Sequence, residues 1–441
     1  MSSRLPRLLR LAPLLLVSIH LAVIVLGGYF LSPEFTVYPF LASKGFLPYT
    51  NLIDQHFPAL LFGPLAMPAW LTSHPHPLLA LFLTTIALTD LFLYLALRRA
   101  KSTHPLFWLL VWISLSLWFS GNTLWFETFI TLFFSLILFL QSSSKPVSLA
   151  RGFLFGLILL IKPTLFPALL LLFFLTGSIS LPPFFTGLLL PFLVTVLYLI
   201  KLDLLIPFFD LTVRFNRDYY LSSAGKIPTA RQILEVAAVT LPGLSLIFLR
   251  RRFLAVLIIF ATTILAYPRF EYVHLLPSLF LLTHFLSQLK LRLSWPLIFL
   301  VLVLILLSAV RAIRHPFGNF YLTEETKEVT RYLQTQPGTS LYLLGGSDLL
   351  YPLTNRVPPS FTYLPSLPWY LTNPTFSHRV VSALLTSPAT TVLVRSSATV
   401  DGVNIQESSG PIWNFINSNY HQTATVGSYG VYQRKGYENR D

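Results

Sequence analysis

Lys162 has apolar sequence on both sides, Gly152-Phe-Leu-Phe-Gly156-Leu-Ile-Leu-Leu-Ile before it and Pro163-Thr-Leu-Phe-Pro167 after it. A lysine at the centre of a membrane helix costs roughly 2.5–3.5 kcal/mol on insertion scales. A chain that keeps one there uses a fixed positive charge at a set depth, and an anion such as a lipid phosphate is its natural client. A second set of candidates follows the first apolar run. Glu34 comes directly after it, where a carboxylate can serve as general base or metal ligand, and Tyr49, Asp54 and His56 lie in the same loop. Glu127 lies at the start of a later apolar run, Arg214 and Asn216 in the 201–231 loop, and Arg269 and His274 at the junction of two runs. Plainer readings compete: snorkelling for Lys162, a solvated loop acid for Glu34, an interfacial anchor for Arg269, and packing histidines for His56 and His274.

The elements that must position these residues are membrane helices. The apolar fraction is 54% and only 11% of residues are charged, with a mean hydropathy of +0.67. Many separate runs approach the ~20 residues of a spanning helix. Such a chain builds a helix bundle, in which the backbone satisfies itself. The net charge of +14 gathers at the ends of apolar runs and does not indicate nucleic acid. Without cysteine there are no disulfides or thiolate metal sites.

Arg4, Arg7 and Arg10 precede an apolar run over 11–31, long enough to span and without a convincing cleavage site, which reads as an uncleaved signal anchor. Arg98, Arg99 and Lys101, the basic residues of 145–151, Arg250 to Arg252, and Lys290 with Arg292 are expected on the cytoplasmic side. Apolar runs cover 76–97, 106–120, 123–140, 152–176, 184–201, 231–249, 253–268, 270–289 and 295–311. The run 152–176 is one long helix or two broken at Lys162-Pro163, and 59–73, with Pro64 and Pro68, favours a partial insertion. The reading is an all-α polytopic membrane bundle of about ten to twelve helices over 1–314. Residues 32–58 form its first external loop, with 120–127 and 201–231 on the same side. Residues 315–441 are expected to form a small extracytoplasmic α/β domain. Thr323 caps a helix there, Ser377 opens another with Val380, Val381, Leu384 and Leu385 inward, and 340–344, 390–394 and 429–433 are strands. Gly345-Gly346 reads as a strand-to-loop turn, Asp90 as a packing group or part of an internal network, and His74-Pro-His76-Pro as a turn.

Taken in order, the motifs resemble those of polyprenyl-phosphate-dependent glycosyltransferases of the GT-C superfamily: the protein O-mannosyltransferases, the aminoarabinose transferases acting on lipid A, and related family-39-like enzymes. In the first loop the resemblance rests on Glu34, Gly45, Pro48-Tyr49, Asp54, His56 and Pro58. It continues through Asn122 to Glu127, the Gly152-x-x-x-Gly156…Lys162 segment, Arg214, Asn216 and Tyr219-Tyr220, Arg269…His274-Leu-Leu-Pro277, and Tyr351…Arg356-Val-Pro-Pro359. The chain departs from the pattern at the first acid, where the family usually has Asp, often as Asp-Glu, and this sequence has Pro33-Glu34.

The resemblance implies inverting sugar transfer at the outer face of the cytoplasmic membrane, with the N-terminus inside and the C-terminal domain outside. Glu34 would be the base, with Asp54 and Glu127 as further catalytic acids; a Glu34–Glu127 pair in close proximity would raise one pKa. Lys162, Arg269 and His56, then His274 and Arg214, would meet the leaving phosphate. Tyr49 and Asn216 would complete the substrate-binding set. The metal ligands are unknown, and a divalent cation is the one cofactor left open. Expected partners are a polyprenyl-phosphate-linked sugar donor, a lipid, glycan or protein acceptor, and the lipid bilayer. The alternatives are a flippase-coupled ligase, a transporter or flippase of a lipid-linked anion, and a membrane scaffold that has lost catalysis.

Overall fold

The computed structural model describes residues 7–72, 75–175, 179–244, 253–289, 295–314, 322–388 and 390–436. Arg4, His74, Arg250, Arg251, Arg252, Lys290, Arg292 and residue 315, where the C-terminal domain was expected to begin, lie outside them. The chain is mostly helical. Its contacts form two compact units: Met1–Leu31, Leu78–Val194 and Ile227–Phe320, and then Ser32–Pro77, Thr195–Lys226 and Tyr321–Asp441. Of the three expected external segments, 32–58 and most of 201–231 therefore fall with the C-terminal residues and 120–127 does not, a division different from a linear one at 314/315.

In the first unit, helices form where the apolar runs lie. Pro75–Arg99 starts on a proline, ends on two arginines that suit the carbonyl end of the dipole, and buries Leu78, Phe82, Ile86, Leu93 and Leu97. Asp90 on this helix is fully buried; its carboxylate meets His20 Nδ1 at 2.7 Å and accepts from Trp112 Nε1 at 2.8 Å. That is the internal network its position suggested. By length and composition, Pro75–Arg99 and Leu181–Lys201 are long and apolar enough to cross a membrane. Further apolar helices among the described residues, such as Pro105–Trp118 and Phe126–Phe139, are shorter.

The run 152–176 breaks where its proline predicts. A helix spans Lys145–Ile161, Lys162 leaves helical geometry at φ −142° and ψ 87°, and a second helix covers Phe166–Leu175. Pro163 lacks an N–H and disfavours helical geometry in the residue before it. The glycines ahead of Lys162 have a packing role. A Cβ on Gly152 would lie 1.9 Å from the Phe184 carbonyl oxygen, and one on Gly156 2.5 Å from that of Leu188. Gly187 faces back, 2.1 Å from the Leu149 oxygen. The two helices meet backbone to backbone through small residues, as membrane helices often do.

In the second unit, residues 59–72 form only a short turn at Gly63–Leu65 and a four-residue helix Ala69–Thr72. The C-terminal part carries a four-stranded mixed sheet in the order Leu341–Leu344, Thr391–Val394, Tyr429–Arg434, Tyr420–Val426. The first pair is parallel and the others antiparallel. Thr323 caps Glu324–Thr335, its hydroxyl accepting from Thr326 N at 3.0 Å. The later helix is Pro374–Thr386, capped by Asn373 rather than opened by Ser377, and Leu385 faces outward at 49% exposure. Arg356 is buried and donates to the Leu333 and Gln336 carbonyls at 2.7 Å, closing the C-terminal end of Glu324–Thr335. The first loop joins this unit through Tyr363, whose N–H donates to the Asn51 carbonyl at 2.8 Å and whose carbonyl accepts from Ile53 N at 3.2 Å.

Candidate functional site

In the helical unit the turn before Phe126–Phe139 is built for close approach: a Cβ on Gly121 would fall 2.0 Å from the Ser116 hydroxyl. Residues Phe30–Leu31 and Thr123–Leu124 form a short parallel pair, and the Asn122 amide donates to the Gly28 carbonyl at 3.0 Å. This turn delivers Glu127 into the first turn of the helix, fully buried. His274, on the turn Tyr272–Leu275, sets its Nδ1 2.8 Å from Glu127 Oε1. The Lys162 ammonium lies 3.6 Å from the same oxygen, a charge contact longer than a hydrogen bond, with its side chain 23% exposed. Among the described residues Glu127 Oε2 has no hydrogen-bond partner. Two residues far apart in sequence, Lys162 and His274, thus share one buried carboxylate.

Arg269 pairs with Glu271, Nε to Oε1 at 2.8 Å. Glu235, not singled out in the sequence, accepts from the Tyr272 hydroxyl at 2.6 Å and from Arg231 at 2.9 Å. It thereby fixes the turn that carries His274. An apolar cavity of about 260 Å³ is lined in part by Val236, Ile259, Phe260, Phe270 and Leu275, so the neighbours of Arg269 and His274 open on hydrocarbon-compatible space.

In the second unit Glu34 opens the helix Glu34–Ser43, where a carboxylate suits the dipole. The Ser32 hydroxyl donates to it. Burial pushes its carboxyl above the usual glutamate range; Ser32 and His56 oppose the shift and Asp54 adds to it. Asp54 is almost wholly buried. Its Oδ2 accepts from the Tyr38 hydroxyl at 2.5 Å, and its Oδ1 lies 2.7 Å from His56 Nδ1 and accepts the His56 N–H at the same distance. Tyr49, at φ +66°, donates from its hydroxyl to the His56 carbonyl at 3.0 Å. The Asp-x-His spacing folds into one hydrogen-bonded turn.

Sequence reasoning passed over Asp348, which follows the Gly345-Gly346 turn. The turn is real: Gly345 has φ +73°, and a Cβ on Gly346 would meet the Tyr429 ring at 2.6 Å. It presents Asp348 to the Tyr363 hydroxyl at 2.9 Å. Part of Asp348 stays open, yet enclosure by the protein pushes its carboxyl from 3.8 up to about 7, with Tyr363 opposing and the Glu34 charge adding. The Tyr38 and Tyr363 rings pack edge to face at 5.8 Å. Glu34, Asp54 and Asp348 therefore form one acidic group threaded by tyrosines. The second acid influencing Glu34 within its unit is drawn from Asp54 and Asp348, whereas Glu127 belongs to the other unit. No protein-family model matches the chain, and no curated protein is significantly similar to it.

Arg214 and Asn216 lie on Asp210–Tyr220, a helix of wide π-type turns, a geometry frequent at functional sites. Arg214 is exposed and paired with Asp210 at 2.6 Å; the Asn216 amide donates to the Thr212 carbonyl at 2.8 Å and to that of Gln55 at 3.5 Å. Among the described residues no group of three or more His, Asp or Glu is placed to hold a metal ion.

Proposed function

We propose that the chain is a GT-C-like membrane glycosyltransferase that moves a sugar from a polyprenyl phosphate to an acceptor at the outer face of the cytoplasmic membrane, with inversion. The observation that carries the reading is Glu34. It sits at a helix N-terminus near buried Asp54 and part-open Asp348, and its carboxyl is raised, the direction that suits a base working near neutrality. It takes the acceptor hydroxyl proton as that oxygen bonds to the anomeric carbon. The bond from that carbon to the phosphate oxygen breaks, and polyprenyl phosphate leaves. Within the helical unit, Lys162 makes no short bond to Glu127 and is the candidate cation for a lipid phosphate. A bilayer setting for about ten to twelve crossings is supported by wide apolar exposure along helices, as at Leu189, Leu193, Leu197 and Ile200 on Leu181–Lys201, and Phe299, Leu302 and Leu306 on Trp295–Arg314. A C-terminal α/β domain outside the membrane completes the reading.

The test is sugar release from a panel of labelled polyprenyl-phosphate sugars by the purified protein in lipid. Wild type should turn over at least one donor. Glu34→Gln should lose about 10²-fold or more, and Lys162→Ala should lose a similar factor. Full activity in Glu34→Gln would remove Glu34 as base. The helix break at Lys162-Pro163 favours a second reading, transport of a lipid-linked anion, because broken helices hold substrates in transporters. Saturable, Lys162-dependent donor binding without turnover of any donor would support transport or a scaffold and overturn the transferase.

A further inference from the structure

A part-open cavity of about 550 Å³ lies within the second unit, in the roughly 300–1,000 Å³ range of small-molecule sites. Its lining includes Asp210, Arg214, Phe215, Asp218, Phe376 and Arg379. The charges on this lining cancel. Arg214 pairs with Asp210 at 2.6 Å, Asp218 is held in a fork by Arg217 at 2.5 and 2.9 Å, and Arg379 donates to the Thr50 carbonyl. An anion entering here would meet two carboxylates along with the two arginines. A neutral polyol would find neighbouring donors and acceptors suited to adjacent hydroxyls.

The aromatic residues hold this part of the unit rigid behind the cavity wall. Phe215 stacks on Tyr370 at 5.4 Å with planes 9° apart, and packs against Phe376 at 5.4 Å. The Tyr370 hydroxyl accepts from the Gln55 N–H at 3.0 Å, so the ring behind Phe215 is joined to the residue next to Asp54. Asn373 uses its Oδ1 to cap Pro374–Thr386, which leaves its amide nitrogen for a ligand at the rim.

We propose that this cavity binds a neutral saccharide. As the subsite of a glycan acceptor it rests on the transferase reading; as a saccharide site it does not. Saturation-transfer NMR and calorimetry on the full chain in lipid nanodiscs, without donor, test it with mannotriose, chitotriose and maltotriose as probes. At least one should bind saturably, equally at low and high salt, and about tenfold more weakly in Arg214→Gln and in Asp218→Asn. Both side chains are exposed surface groups, so these variants should fold; an unchanged melting temperature checks this. Absence of binding by all three probes, or binding untouched by both variants, overturns the proposal. Salt-sensitive binding of inorganic phosphate that excludes the saccharides also overturns it. Saccharide binding without any sugar transfer would support the site and count only against the transferase.

Discussion

Two imidazole–carboxylate pairs occur in this molecule, and their surroundings differ. In the helical unit His274 Nδ1 lies 2.8 Å from Glu127, and the Lys162 ammonium lies 3.6 Å from the same oxygen. In the second unit His56 Nδ1 lies 2.7 Å from Asp54, but the neighbours are acids and phenols: Glu34, Asp348, Tyr38 and Tyr363. A carboxylate beside an ammonium and an imidazole is compensated and fixes its partners. Burial instead pushes the Glu34 and Asp348 carboxyls upward, the latter to about 7. The first arrangement suits holding an anion's counter-charges in place; the second suits proton transfer. The same pair of residue types thus takes its chemistry from what encloses it.

The sharpest way to break this contrast is to remove the compensated carboxylate. Glu127→Ala would leave Lys162 and His274 without their common acceptor inside an apolar unit. The expected loss is about 3–5 kcal/mol, as for breaking a buried pair from one side. It should be read as a lowered melting temperature of the protein in lipid. Tyr38→Phe is the milder counterpart in the second unit. It deletes the donor to Asp54 Oδ2 and should cost about 1.5–3 kcal/mol, the range for a hydrogen bond to a charged group. If Tyr38→Phe proves as damaging as Glu127→Ala, the two clusters do not differ in the way described.

The sequence made the helices legible because apolar runs and prolines act locally. Pro163 marks the break at Lys162, and Thr323 marks a cap, without reference to any distant residue. Strand Tyr420–Val426 was missed because its residues are mostly polar and only its ends are buried; it is held by its hairpin partner Tyr429–Arg434. The start of Pro374–Thr386 carried a readable signal, Asn followed by Pro, which Ser377 displaced. Lys162, Glu127 and His274 were each marked as unusual, but their sharing of one oxygen is a tertiary fact. Asp348 was least legible. Its neighbours Tyr363 and Glu34 come from different segments of the chain, and a lone aspartate after two glycines looks like a turn. For the same reason the grouping of 32–77 and 195–226 with 321–441 left no local trace.

Asp348 also supplies the smallest expected effect and the one with a distinctive sign. Its folded pKa is about 7 against an ordinary 3.8, so the folded state keeps a proton that the unfolded state has released. Stability therefore falls as pH rises from about 4 to about 7 and does not change further from this group above that. Asp348→Asn removes the titration and keeps an oxygen to accept from Tyr363. The variant should match wild type near pH 4 and melt about 2–4 °C higher near pH 8. The gain is modest because part of Asp348 remains open to solvent. A variant less stable than wild type at high pH would mean that the ionised carboxylate is stabilised in the fold. The acidic group would then resemble the compensated cluster around Glu127, and Glu34 would lose part of the environment that makes it a base.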